Sequence, residues 1–330
     1  MAVDVLIIGA GLSGLMAAHT LIDSGYTVQL IDKGRSVGGR LATRRVGEGV
    51  ADHGAQFFTV RTDLFRSYVE KWLEKGLIHV WGTGWSDGSL KRTAGDGHPR
   101  YVANGGMNKL AKYLAEDLDI VVNKRITRIE LFDDSWSVVD GDGGVYSGRA
   151  LLLTPPVPQT LELLDTSYIQ LNPEERADLT KVQFGPCLCG IHEIDGEIDL
   201  PEPGAVQDFQ KDIYWIADNQ AKGVSDTPII TTHASAKFSR QNWDAPENDI
   251  INQLESVVKP YLKNGSTITN TQLKKWRYSV PLITYPKEYF MAKGLPNLVL
   301  AGDAFGGRGR VEGAFMSGIA AGQALIESLG

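Results

Sequence analysis

Residues 3–32 read VDVLIIGAGLSGLMAAHTLIDSGYTVQLID, and this stretch decides the fold. Val3 to Ile8 is a short, β-branched apolar run, the mark of a buried strand. It leads into Gly9-Ala10-Gly11-Leu12-Ser13-Gly14. A helical pattern follows, with Leu15, Ala18 and Ile22 on one face, and stops near Gly25. A second strand, Thr27 to Ile31, ends in Asp32. Strand, glycine turn, helix, strand and acid within about 30 residues is the full context of a dinucleotide-binding βαβ unit. In that context Gly9 permits the tight turn, Gly11 lets backbone approach a pyrophosphate, and Gly14 lets the helix pack on the strand. The helix N-terminus offers unpaired N–H groups and a positive dipole end to the phosphates. Asp32 is placed to accept hydrogen bonds from the adenosine ribose.

Working outward, two further glycine clusters fall in order along the chain. Gly38-Gly39-Arg40 follows Asp32 closely, and Asp52-His53-Gly54-Ala55-Gln56-Phe57-Phe58-Thr59 comes after it. Near the other end, Leu298 to Ala301 reads as a buried strand ending in Gly302-Asp303, and a final helix is predicted from about Val311. These clusters account for most of an excess of glycine, 37 in 330 residues where average usage is about 7%. Between them, Ile126 to Val139, turning at Asp133-Asp134, and Val145 to Leu153 predict a β-meander. Met107, Leu110, Ala111 and Leu114 carry the spacing of a core helix.

Composition narrows the function classes. A length of 330 residues predicts about two domains. A net charge of −7 argues against broad nucleic-acid binding and against docking on anionic membranes. No apolar run approaches the ~18 residues of a membrane helix. The apolar N-terminus carries Asp4 and lacks the basic start of a signal peptide. The two cysteines, Cys187 and Cys189, are too close for an ordinary bridge and have no Cys/His partners for a metal site. A cytoplasmic protein without metal is the expectation.

The Gly38-Gly39-Arg40 and Asp52–Thr59 segments together resemble the second fingerprint of flavin amine oxidases and phytoene desaturases. With Ile216-Ala217-Asp218-Asn219, Thr231-Thr232-His233 and Lys275-Trp276-Arg277-Tyr278-Ser279, nearly the whole chain resembles the renalase-like branch of that superfamily. The resemblance implies an α/β fold: a Rossmann-like FAD-binding domain of the glutathione-reductase/amine-oxidase type with an inserted α+β substrate domain. The expected cofactor domain is 1–60, 100–160 and 275–330, and the expected substrate domain 61–99 and 161–274. It also implies non-covalent FAD, held by Gly9, Gly11, Ser13, Gly14, Asp32, Lys33, Gly39, Arg40, Gln56, Phe57, Ile126, Asp303 and Val311. Asp303 would take the ribityl chain, Ile126 the adenine, and the final helix the flavin N1–C2=O edge. The implied reaction is oxidation of 2- or 6-dihydro-NAD(P) to NAD(P)+ by hydride transfer to flavin N5, with O2 as acceptor giving H2O2. Two features depart from the family pattern. Asp32 stands where many amine oxidases have Glu, and Gly306-Gly307-Arg308-Gly309-Arg310 is unusually rich in Gly and Arg.

For the substrate, Trp72, Trp81, Trp85, Trp215 and Trp243 fall in the predicted substrate domain, where aromatic side chains sandwich a flat ring or simply fill a core. Trp215 and Tyr214 rank first, in a strand-like run beside Asp218-Asn219. Gln207 is a candidate partner for a carboxamide. His233 is read as a structural histidine or a substrate contact, and Arg277 as an active-site residue or an interdomain ion pair. Arg308 and Arg310 are candidates for a substrate phosphate. The competing readings are a flavin amine oxidase or desaturase, and a flavin-binding interaction protein without turnover.

Overall fold

A computed structural model describes residues 2–87, 97–307 and 309–330. The chain forms two compact units, one of Met1–Arg40, Ala111–Phe184 and Pro281–Gly330, the other of Leu41–Leu110 and Gly185–Val280. Residues 41–60, 100–110 and 275–280, expected in the cofactor domain, pack with the second unit. Residues 161–184, expected in the substrate domain, pack with the first. Local motif order does not reveal these exchanges, because the division follows which sheet each segment joins.

The first unit is built on an eight-stranded sheet. Strand Val3–Ile8 is central, parallel to Val28–Ile31 on one side and to Val145–Leu153 on the other. Val28–Ile31 is followed outward by Ile120–Val121, and Val145–Leu153 by Leu298–Leu300, both parallel. The continuous apolar runs of these strands are what a sheet buried on both faces requires: Leu6, Ile7, Leu30, Ile31, Leu151 and Leu152 are all fully buried. The meander forms as predicted. Ile126–Phe132 and Ser135–Asp140 pair antiparallel through Asp133 and Asp134, both at positive φ, and Ser135–Asp140 pairs with the start of Val145–Leu153.

Helix Leu12–Asp23 returns over this sheet and packs on the last helix, Arg310–Leu329. Their approach needs glycine: a Cβ on Gly318 would sit 2.3 Å from the Ser13 carbonyl oxygen, and one on Gly322 2.9 Å from Thr20 Cβ. Leu15 and Ala18 are buried as the helical pattern predicts. Ile22 is exposed, in the last turn of a helix that ends at Asp23.

The second unit holds a five-stranded sheet ordered Ala205–Gln207, Ile213–Asp218, Ile229–Ala234, Gln183–Asp195 and Thr267–Ile283, its first four strands pairing antiparallel. One face is an apolar core with helices Ala236–Gln241 and Glu247–Val258, built from Leu188, Ile213, Ala234, Phe238, Ile250 and Leu254. The opposite face carries Cys187, Cys189, Ile191 and Ile229. It packs on Val46 and Ala51 of the hairpin Thr43–Val46/Gly49–Asp52. Strand alternation divides the two faces, so adjacent residues such as Leu188 and Cys189 have different surroundings.

Candidate active site

In the first unit the three sequence clusters converge. Gly9 has φ +105° and lies under Thr154, whose Oγ1 donates to the Ile8 and Gly9 carbonyls. Gly38 N–H donates to the Ala10 carbonyl at 2.8 Å, which fastens the second glycine cluster to the first turn. Asp32 closes the turn from below. Its carboxylate accepts from Ala10 N–H at 2.7 Å and Gly34 N–H at 2.6 Å. The segment before Ile126 lies alongside, with Lys124 N–H on the Asp32 carbonyl and Asn123 N–H on the Gly34 carbonyl. Lys33 is beside this turn, its ammonium on Gln159 at 3.2 Å and its pKa lowered by burial and by Arg125.

Two observations show that this cradle fits a dinucleotide. A Cβ on Gly11 would meet nothing within 4 Å, so protein packing does not demand glycine there, while an approaching pyrophosphate does. Ser13, in the first turn of the helix, is 4% exposed, and its Oγ has no hydrogen-bond partner among the described residues. A buried hydroxyl at a helix N-terminus is a donor suited to a phosphate oxygen. On the flavin side of the predicted cradle, Arg40 and Asp303 form a bidentate pair with both N···O distances 2.7 Å. Burial pushes the Asp303 carboxyl up, against the downward pull of Arg40. Gly39 lies against Gly11, with 3.4 Å from its would-be Cβ to the Gly11 Cα. Val311 is buried at the start of the last helix. Arg310 is exposed and opens that helix with a left-handed φ of +65°, a strained setting for a residue other than glycine. Arg308 lies outside the described residues.

In the second unit, Gln207, Trp215, His233 and Cys189 are successive cross-strand partners, one row across the sheet. Directly opposed residues share a face. Trp215 is 2% exposed and lies among rings, 5.5 Å from Phe57, 5.2 Å from Trp85 and 6.0 Å from Trp81 between centroids. Trp81 and Trp85 are 4.4 Å apart, and Phe57 and Trp85 5.1 Å.

Beside these rings is a polar tie that sequence reading missed. The Lys222 ammonium is 2.8 Å from the Asp52 carboxylate, both side chains wholly buried, and 5.3 Å from the centre of the Trp81 ring. Burial lowers the Lys222 pKa, and Asp52 opposes the shift. The other Asp52 oxygen accepts from Thr43 Oγ1 and from Met107 N–H at 2.8 Å. Asp52 N–H donates to Asn219 Oδ1, and the Asp52 carbonyl accepts from Thr231 Oγ1 and Gln56 Nε2. Nothing local signals this role: Lys222 falls in the polar run Asp218–Ser225, which reads as a solvated loop.

Several of the sequence-predicted residues have other partners. The Gln56 side chain is spent on its own loop, donating to the Asp52 and Gly54 carbonyls and accepting from Lys222 at 3.4 Å. It shapes the loop that carries Phe57. Tyr214 does not join Trp215; it stacks on Phe209 at 5.5 Å, because the pairing with Ile229–Ala234 shifts register between Ile213 and Trp215. Arg277 is exposed, its guanidinium 5.0 Å from the Trp243 ring centre. The adjacent Trp276 instead donates to the His53 carbonyl at 2.8 Å and stacks on the His53 ring. Trp72 belongs to a separate cluster with Phe58 and Phe65.

His233 is held neutral, its pKa lowered to about 3 by burial, with Lys222 and His53 adding to the shift. His53 is lowered to about 4, also chiefly by burial. Burial raises the Cys187 thiol to about 12 and the Cys189 thiol well above its ordinary value.

This fold and cradle define a flavin-dependent oxidoreductase. The chain belongs to the family of flavin containing amine oxidoreductases, whose model matches residues 77–326, while an NAD(P)-binding Rossmann-like domain matches residues 7–72. It is 28% identical to mouse (Mus musculus) renalase over 296 residues, covering 83% of this chain and 84% of the relative. It is 26% identical to polyamine oxidase 4 of Oryza sativa subsp. japonica over 242 residues, 66% of this chain and 47% of the relative. Among solved structures, a putrescine oxidase variant shares the fold at TM-score 0.73 and 14% identity, with 99% of each chain covered. A putative protoporphyrinogen oxidase from Exiguobacterium does so at 0.70 and 12%, covering 100% of this chain and 99% of that one. No helix among the described residues is long and apolar enough to cross a membrane.

Proposed function

We propose that this oxidoreductase takes hydride from 2- or 6-dihydro isomers of NAD(P), releases NAD(P)+, and passes the electrons to O2 to form H2O2. Bound FAD supplies the two-electron acceptor at N5. Non-covalent FAD is held by Gly9, Gly11, Ser13 and Gly14 at the pyrophosphate, and by Asp32, Lys33 and Ile126 at the adenosine. Gly39, Arg40, Asp303 and Val311 hold its flavin end.

The observation that carries the reading is the aromatic cluster around Trp215, in the row Gln207–Trp215–His233, with no strong base beside it among the described residues. The Asp52 carboxylate is tied to Lys222, Thr43 and Met107. His233 and His53 are weak bases, at about 3 and about 4. A dihydropyridine becomes aromatic as it loses hydride, so it needs orientation and no proton abstraction. Rings held by Trp81, Trp85 and Trp215 provide that orientation by stacking.

The family also supports a second reading, an amine oxidase with an aromatic cage for a substrate ammonium. The Lys222 ammonium already stands over Trp81, and a second buried cation there is repelled. The test is peroxide formation by the purified holoenzyme in air. The 2- and 6-dihydro compounds should drive it at least tenfold faster than 4-dihydro-NAD(P)H or any of a panel of mono-, di- and polyamines. Turnover confined to an amine would replace this proposal with the second reading.

A further inference from the structure

Two buried nitrogens in the second unit lack partners and lie on directly opposed residues of one ladder. Among the described residues Trp215 Nε1 is a donor with no acceptor, and His233 Nε2 has no partner either. The His53 backbone pulls the His233 pKa back up, as a backbone acceptor facing the ring does, against the larger effect of burial. The His53 carbonyl accepts from Trp276. A ring that donates through Nδ1 and stays neutral presents Nε2 as an acceptor. A buried donor and a buried acceptor left unmatched are destabilising unless a ligand or water satisfies them.

We infer that Trp215 Nε1–H and His233 Nε2 form a split donor–acceptor pair that reads a primary carboxamide, the indole donating to its oxygen and the imidazole accepting from its NH2. As applied to the nicotinamide carboxamide, the inference rests on the proposed dihydronicotinamide substrate. Cross-strand partners have Cβ atoms about 4.5–5.5 Å apart, a span that suits the two ends of one amide. Phe57 is the most exposed of the three rings around Trp215, so the occupant enters past it. Lys222 enforces the reading. Its buried positive charge opposes protonation of His233, which would turn the acceptor into a donor. A carboxylate in place of the carboxamide presents only acceptors and meets the lone pair of Nε2.

The holoenzyme is given dihydro isomers of NAD and of its nicotinic acid analogue, alongside NMR of the 15N-labelled indoles. The wild type should prefer the carboxamide by about 10- to 100-fold in kcat/KM. Trp215→Phe should lose about tenfold against the amide, and His233→Phe should erase the discrimination against the carboxylate. In the oxidised wild type, nicotinamide and benzamide should shift the Trp215 indole N–H resonance, and nicotinic acid should leave it in place.

Equal use of both dinucleotides with an unmoved indole resonance would overturn the pair while leaving the substrate proposal standing. No oxidation of either dinucleotide, together with an amide-specific indole shift, would overturn the substrate proposal and keep the pair. Because the wild-type spectrum decides on its own, a variant that fails to fold does not rescue the inference.

Discussion

Gly11 and Gly14 differ in why each is glycine. A Cβ on Gly14 would stand 2.1 Å from the Gly9 carbonyl oxygen, so the protein itself excludes it. Around Gly11 there is open space and an ordinary φ of −77°. Gly14→Ala should therefore destabilise the fold by about 1–3 kcal/mol in urea melts. Gly11→Val should leave apoprotein stability within about 0.5 kcal/mol and weaken FAD binding at least tenfold by flavin fluorescence titration. The reverse pattern would mean that the pyrophosphate cradle lies elsewhere.

His192 gives a residue-scale test of pH dependence. Its ring is buried between Thr232 and Thr271, and burial lowers its pKa to about 3. The unfolded chain takes up that proton near 6.5, so the stabilisation is full above that pH and is lost as pH falls toward 3. His192→Gln should flatten the stability profile by about 1.4 kcal/mol per pH unit between pH 6 and 4. Unchanged slopes in urea melts at pH 6, 5 and 4 would contradict the burial argument. Side-chain detail of this kind is poorly legible in sequence. Asp32 and Ser13 declare themselves by motif position, while Gln56 and Tyr214 take other partners because of a loop network and a register shift.

At the scale of elements, periodicity did most of the work. The parallel strands, the meander with its Asp133-Asp134 turn, and the Met107–Leu114 helix form where their apolar patterns place them, with ends moved by a residue or two. What stayed hidden is how elements are tied across long separations. Asp52 ends a hairpin strand, and Lys222 lies in the turn after Ile213–Asp218. No local pattern links two residues that far apart. Lys222→Met leaves a buried carboxylate unpaired and should cost about 3–5 kcal/mol, and adding Asp52→Asn should recover much of that loss. A single variant as stable as wild type would show that the pair contributes nothing to holding the hairpin.

At the scale of the whole molecule, glycine clusters at both ends of the chain already require a discontinuous cofactor domain. The structure sharpens this: the first unit draws on three segments, and the Asp52–Phe57 loop belongs to the second. Both cysteines are buried on Gln183–Asp195 with raised thiol pKa values, so neither is a ready nucleophile for a flavin. Acid precipitation should release the yellow cofactor into the supernatant, and colour retained in the pellet would mean a covalent link.

The most direct measurement is an anaerobic titration of the oxidised holoenzyme with 6-dihydro-NAD, 2-dihydro-NAD and, separately, amines, following flavin absorbance. One equivalent of a dihydro isomer should bleach the flavin fully and yield one equivalent of NAD+, with no bleaching by amines. Bleaching by an amine and none by either isomer would contradict the account.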